Sequence, residues 1–441
     1  MKLGLDASFL SFSHFFCSFV VLFLFKTLTW SLLKQFPGEN GSLVLTIVTI
    51  WELFSSHLCS LSPESCQCPS LDSLFLSLSL PHTPINTIEI PQFHPALVFL
   101  KPERTMLQSN PPLLQHYGEL VLHPAEFPAL VCDEQKKGVA MEECQLPLID
   151  LDDLNSDNER ERLACSRAIC RASSEWGFFQ VVNHGMSPEL LRRMRREQMK
   201  LFQTPFERKT TWGLLNNSYR WGTPTATSPK QFSWSEAFHI PLSQISEGAC
   251  YGEYNSLRQV MKEFAAAMSK IARLLAGILA ENLGNQKGVF EDICDESTCF
   301  LRLNRYPACP ISQEIFGLVP HTDSDFLTIL CQDQVGGLQL MKDSQWVAAK
   351  PNKDALVVNI GDLFQAWSNN VYKSVEHKVM ANRTMERYSI AYFLCPSYDS
   401  LITSCREPSV YRKFTFGEYR SQVQEDVKKT GYKVGLPRFI L

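Results

Sequence analysis

Residues 300–307 read FLRLNRYP and residues 387–394 read RYSIAYFL, and the two-residue period of such stretches decides the fold. FLTILCQD (326–333), GLQLM (337–341), QWVAAKP (345–351), ALVVNIG (355–361) and SVEHKVM (374–380) lie between them. Each has the length and composition of a short strand. Turn formers such as Lys342-Asp343-Ser344 and Asn382-Arg383 separate them. Many short strands at this spacing predict a closed barrel or two-sheet jelly roll.

Upstream the period becomes helical. Leu257, Val260, Met261, Phe264, Met268, Ile271, Leu275 and Ile278 recur at three- and four-residue intervals. They form the stripe of a long amphipathic helix ended by Gly284, and the stripe should pack on a sheet. Earlier, LPLIDLDDL (146–154) opens with a strand. Residues 158–176 read as a helix with Leu163, Ile169 and Ala172 among its apolar positions. GFFQVVNHG (177–185) is a strand ending at glycine. Ser187-Pro188 is a helix start, with Ser as cap and Pro in the first turn. Residues 214–248 read as a loop rich in Asn, Thr, Ser and Trp.

Before about residue 105 the chain is different in kind. SLDSLFLSLSLPHTP (70–84) is low-complexity and carries no chemistry. Residues 9–25 are largely apolar and end at Lys26, short for a membrane helix of about 20 residues and without a clear cleavage site. The preferred reading is that residues 1–105 are not native protein and that Met106, opening MLQSNPPLLQHYGELV, is the true start. A membrane anchor and a signal peptide are the alternatives. The expected division is then an extension (1–105), an irregular lead-in (106–145), an N-terminal helical domain (146–250), a β domain with its long helix (251–400) and a helical tail (401–441).

The 441 residues carry a net charge of -4 and are 45% hydrophobic, with no basic run to suggest nucleic acid. Fifteen cysteines are scattered without paired CxxC motifs, as reduced thiols packed like small hydrophobes would be.

The chemistry lies in HTD (321–323). In an extended chain His321 and Asp323 project to one face. His377 follows 54 residues after Asp323 and begins another strand. Two imidazoles and one carboxylate form the facial triad of non-haem Fe(II) oxygenases, which leaves coordination positions open. Zinc would accept the same set with water as its fourth ligand. H-x-D alone is a weak signal, and most of the ten histidines have no such role. What singles out His377 is Arg387-Tyr388-Ser389, ten residues on. A dicarboxylic cosubstrate chelating iron through its keto-acid end needs a cation one molecule's length away. Arginine's planar fork meets a carboxylate bidentately, and Ser389 on the same strand face adds a hydroxyl. The commonest fate of an arginine is a surface ion pair, but the ordered spacing of the three motifs favours the cosubstrate. Asn304 and Tyr306 share a strand face and are candidates to reach the cosubstrate too.

These residues carry a resemblance. NRYPACP (304–310), LVPHTDSDFLTILCQD (318–333), GGLQLMKDSQWVAAKP (336–351), VVNIGDLFQAWSNNVYKSVEHKV (357–379) and RYSIAYFLCP (387–396) are similar to plant 2-oxoglutarate-dependent dioxygenases. LPLIDL and WGFFQVVNHGM are similar to that family's N-terminal domain. The resemblance implies an α+β fold: a double-stranded β-helix (jelly-roll) core with flanking N-terminal helices and the long helix packed on the barrel. It implies Fe(II) held by His321, Asp323 and His377, with 2-oxoglutarate on Arg387 and Ser389 near Asn304 and Tyr306. O2 would be the oxidant, ascorbate the activator, and no catalytic side chain would act beyond the metal centre. Ala308 stands where proline is usual and Asn370 where aspartate is usual; neither removes a ligand.

SYRWGTPTATSPKQFSWSEAFHIPL (218–242) resembles gibberellin 2-beta-dioxygenases of the class acting on twenty-carbon gibberellins. That implies 2-beta-hydroxylation of a small, largely apolar diterpenoid acid, deactivating the hormone, in the cytoplasm or the nucleus and without a membrane or nucleic-acid partner for the catalytic part. Tyr219, Trp221, Trp234, Phe238 and Phe393 are candidate pocket lining. Rival readings are 20- or 3-oxidation of gibberellins, a flavonoid substrate, or a ligand-binding protein of the same fold without turnover. Oligomeric state is left open.

Overall fold

A computed structural model of the chain describes residues 109–122, 143–223, 226, 231–247, 251–311 and 315–441. The apolar run 9–25 and the rest of 1–105 lie outside the described residues. Among those described, no helix is long and apolar enough to cross a membrane.

The chain enters through α1 (Leu113–Leu122), β1 (Glu143–Cys144) and β2 (Leu148–Asp150), followed by α2 (Glu159–Glu175), β3 (Phe178–Val182), α3 (Pro188–Gln203) and α4 (Phe206–Lys209). Next come β4 (Tyr219–Trp221), β5 (Glu236–Pro241), α5 (Leu242–Glu247) and the long α6 (Asn255–Asn282). Strands β6 (Phe300–Tyr306), β7 (Phe316–His321), β8 (Leu327–Gln332), β9 (Leu338–Lys342), β10 (Gln345–Ala349) and β11 (Leu356–Ile360) follow. Helix α7 (Asp362–Trp367), β12 (His377–Met380), β13 (Arg387–Leu394), β14 (Leu401–Ile402), β15 (Phe414–Thr415) and α8 (Phe416–Thr430) complete the order.

Two sheets form the core. One has the order β1-β10-β9-β12-β7; the other runs β2-β3-β11-β8-β13-β6-β5-β4. With helices on the outer face of the larger sheet, this is the expected α+β jelly roll. Helix α6 packs on β8, β13, α2 and α3. All eight residues of its stripe are buried, and the chain turns out of it at Gly284 with φ +77°, a left-handed conformation that costs glycine nothing. Asn158 caps α2 by accepting from the Arg160 amide, and Ser187 caps α3 by accepting from Leu190. Cys165, Cys170, Cys294, Cys299 and Cys395 are buried thiols in the main core.

Two readings of the sequence need correction. Leu163 does not face the core: it is 46% exposed, while Ile169 and Ala172 are buried. Six residues at 100° each put Leu163 about 120° around the helix from Ile169. The stretch 214–248 is also not a plain loop, since β4, β5 and α5 lie within it. Its polar residues are misleading because Glu236 is buried through pairing rather than solvated, and Ser235 beside it is buried too. Glu236 accepts from Lys209 Nζ at 2.5 Å, Tyr219 Oη at 2.5 Å and Arg305 Nη1 at 2.8 Å. Lys209 and Arg305 also reach Ser109 and Asn110, tying the first described residues to the sheet.

Candidate active site

The inner face of the large sheet builds the site by strand alternation. Along β6 and β13 the cross-strand pairs are Tyr306 with Arg387, Asn304 with Ser389, Arg302 with Ala391 and Phe300 with Phe393. All eight side chains line one cavity of about 370 Å³. From the facing sheet, Leu318, His321, Leu338, His377 and Val379 line its other side.

His321 is the last residue of β7 and His377 the first of β12, and the two are register partners. Asp323 lies two residues past the end of β7, and its carboxylate reaches the same cluster as the two imidazoles. The ring centroids of His321 and His377 are 4.3 Å apart. Asp323 Oδ1 sits 3.7 Å from His321 Nε2 and 3.8 Å from His377 Nε2. Among the described residues these three form the one group of His, Cys, Asp or Glu whose donor atoms, all within 4.8 Å, could hold a metal ion.

Their surroundings fit a metal. The Nδ1 atoms of His321 and His377 lie 2.8 and 3.1 Å from the carbonyls of Val319 and Val375, which fixes the tautomer with Nε2 bare toward the cluster. Asp323 Oδ2 accepts from Thr328 Oγ1 at 2.6 Å and Asn359 Nδ2 at 2.7 Å, leaving Oδ1 for the cluster. Burial lowers the His321 pKa to about 3, with His377 adding to the effect, so the ring is a neutral ligand. Burial pushes Asp323 up, but the two imidazoles and the two donors outweigh it and keep the carboxyl ionised. Burial and the neighbouring Asp323 push Asp325 well above the usual carboxylate range.

The loop itself is clamped. The amides of Asp362 and Leu363 donate to the carbonyls of Asp323 and Asp325. Gly361 makes this approach possible: a Cβ there would lie 2.2 Å from the Asp325 carbonyl oxygen. Lys433, beyond α8, bridges Asp362 Oδ2 at 2.7 Å, Ser324 Oγ at 2.8 Å and the Thr322 carbonyl at 2.9 Å.

Deeper in the cavity Arg387 is 2% exposed. Its Nη2 donates to Gln332 Oε1 at 2.7 Å and its Nη1 to Ser389 Oγ at 3.4 Å, while Nε has no partner. The Tyr306 ring lies 5.0 Å from its Cζ. Among the described residues no carboxylate pairs with it. A buried guanidinium without a counter-charge is costly, so the site fits an anionic ligand between Arg387 and the metal cluster. Asn304 joins this group by donating to Ser389 Oγ at 3.3 Å.

Of the five aromatics expected to line the pocket, Phe393 does so. Tyr219 and Phe238 are buried in the main core instead. Register explains it: Phe238 pairs with Leu303, one residue out of phase with Arg302, and so faces the helices. Trp221 packs edge-on against Phe206. Trp234 sits with Tyr117 and Phe232 in a separate cluster. Thr328, Gln332 and Asn359 were not anticipated. Their signal was available, as polar residues in otherwise apolar strands.

Comparisons with known proteins agree with this geometry. Residues 297–396 match the 2OG-Fe(II) oxygenase superfamily, and residues 146–260 match the non-haem dioxygenase in morphine synthesis N-terminal family. The chain is 59% identical to gibberellin 2-beta-dioxygenase 6 of Oryza sativa subsp. japonica over 342 residues, covering 75% of this chain and 96% of that protein. It is 55% identical to gibberellin 2-beta-dioxygenase 8 of Arabidopsis thaliana over 301 residues, covering 68% and 88%. Among solved structures, JOX2 in complex with 2OG, Fe and JA is similar with a TM-score of 0.55 and 33% identity, over 65% of this chain and 87% of that one. The chain therefore belongs to the Fe(II)- and 2-oxoglutarate-dependent oxygenases, is a dioxygenase of that superfamily, and within it resembles the gibberellin 2-beta-dioxygenases.

Proposed function

We propose that the protein hydroxylates gibberellins at the 2-beta position, with twenty-carbon gibberellins as preferred substrates, and so deactivates the hormone pathway. The observation that carries this reading is the 59% identity to a gibberellin 2-beta-dioxygenase across 96% of that relative.

In this reading Nε2 of His321 and His377 and Oδ1 of Asp323 hold Fe(II). Arg387 and Ser389 bind the distal carboxylate of 2-oxoglutarate, with Asn304 and Tyr306 beside it. The metal supplies O2 activation coupled to oxidative decarboxylation of 2-oxoglutarate, and ascorbate keeps it reduced. The chain's own residues do the rest. Thr328 and Asn359 orient the Asp323 carboxylate. Gln332 fixes the Arg387 fork. Phe178, Leu318, Leu338 and Phe393 give the cavity apolar walls that suit a diterpenoid and exclude water. Residues 106–441 would form the catalytic body, acting in the cytoplasm or the nucleus.

Turnover tests the proposal. The protein is given Fe(II), ascorbate, 2-oxoglutarate and nineteen- and twenty-carbon gibberellins, and products are read by mass spectrometry, with His377→Ala as control. A 2-beta-hydroxylated twenty-carbon product dependent on 2-oxoglutarate is expected. Oxidation at C-20 or C-3, or succinate formed only with a flavonoid, would replace the substrate claim.

A further inference from the structure

We propose that Arg302 and Arg420 form the anchor for the substrate's carboxylate, at the end of the cavity away from Arg387; this rests on the reading of the substrate as an apolar acid. The cavity is lined by four cations: Arg302, Arg387, Arg420 and Lys433. Arg387 belongs to the cosubstrate end, and Lys433 is neutralised by Asp362 at 2.7 Å. The other two make no ion pair among the described residues. Arg302 donates through Nε to the neutral Asn304 Oδ1 at 2.8 Å. Arg420 stacks 5.9 Å over Phe416, one helical turn back.

Their placement follows from the strand column. Arg302 lies four residues along β6 from Tyr306, the register partner of Arg387, or ~13 Å at about 3.3 Å per residue. That leaves the inner two pairs for the cosubstrate and the outer two for the substrate. Opposite Arg302 stands Ala391, whose small side chain leaves the guanidinium open to the cavity. On its other side stands His239, stacked on Phe300 with centroids 3.9 Å apart, and Phe300 stacks on Phe393 at 4.3 Å. Burial, then Arg302 and Arg420, hold the His239 pKa down at about 4, so this wall is uncharged at neutral pH. Arg420 comes from α8 with Val423 and Val427, which share its helix face and also line the cavity. The outer cavity therefore joins an aromatic wall, an aliphatic helix face and two guanidiniums without counter-ions. This is the chemistry that selects a rigid hydrocarbon bearing a carboxylate over its neutral analogue.

The full-length enzyme and its Arg302→Gln, Arg302→Lys and Arg420→Gln variants are assayed with a twenty-carbon gibberellin and with its methyl ester. Wild type is expected to prefer the acid by about 10–100-fold in kcat/KM, chiefly through KM, the range of a charge-assisted hydrogen bond. Each Gln variant should bring the acid-to-ester ratio down about tenfold or more, and Arg302→Lys should recover part of it. An unchanged ratio in both Gln variants overturns the anchor. If Arg302→Gln does not fold, Arg420→Gln, on a half-buried helix position, decides alone. Absence of any gibberellin turnover by wild type overturns the substrate reading instead. The anchor is then read by fluorescence titration with abietic acid and its methyl ester. Acid-selective binding that the Gln variants lose supports it, and equal binding of acid and ester by wild type overturns it.

Discussion

Replacing Arg387 by Met should have opposite effects on ligand affinity and on the stability of the ligand-free protein. The guanidinium is buried, with one short bond to the neutral Gln332, one long bond to Ser389 and no carboxylate among the described residues. A 2-oxoglutarate carboxylate would accept two charge-assisted bonds from it. Each contributes about 1.5–3 kcal/mol, and the bond already made to Gln332 puts the sum in the lower half, about 3–4 kcal/mol. That corresponds to a rise of several hundred-fold, roughly, in the 2-oxoglutarate requirement. Without ligand the same charge is uncompensated, and Met of similar volume removes that penalty. The ligand-free variant should be as stable as wild type or more so, by up to ~1–4 kcal/mol. The assay is thermal unfolding under anaerobic conditions with Mn(II), with and without 2-oxoglutarate. At about 100 times its Kd the ligand stabilises wild type by about 2.7 kcal/mol, or about 5 °C in Tm. The variant should show no shift at that concentration. A variant that is strongly destabilised without ligand yet keeps the 2-oxoglutarate shift would refute the argument, because Arg387 would then be a structural residue.

Four further outcomes follow from named contacts. Asn359→Leu removes the 2.7 Å donor that orients Asp323 and should weaken metal binding about 10–100-fold, read by Co(II) titration; unaltered affinity would show that Thr328 suffices. Gly361→Ala drives a Cβ into the Asp325 carbonyl, so the metal-bearing loop must shift, and turnover should fall far more than Tm. Glu236→Gln leaves Lys209 and Arg305 buried without their shared carboxylate and should cost about 3–5 kcal/mol in urea unfolding. His239 is depressed to about 4 from its usual 6.5, so the unfolded state takes up its proton first as pH falls. The stability its neutral form contributes is present above pH 6.5 and lost as pH falls toward 4, by at most about 1.4 kcal/mol per pH unit. His239→Gln should flatten the curve in that window; an equal slope would place the titration elsewhere.

The amino-acid sequence by itself determined the strands of the β domain, the long helix α6 and the His-Asp-His candidate metal cluster. A two-residue period after Cys299 and a 3.6-residue period in α6 follow from which face each element buries, and both are local properties. The order of His321, Asp323, His377 and Arg387 was equally legible, because their residue types are rare in apolar strands and chemically specific. The tertiary structure alone decided which neighbours these residues meet. Phe238 and Tyr219 looked like pocket lining, yet register with Leu303 turns them to the helices, and a shift of one residue cannot be seen in a single strand. Glu236 reads as a solvated loop residue until Lys209 and Arg305 arrive from distant elements to pair with it. Arg420 and Lys433 lie in a tail with no motif of its own, and only the path of α8 brings them to the cavity. Periodicity records burial of each segment against an unspecified partner, whereas register, charge pairing and cavity shape arise only when segments far apart in the chain are packed together.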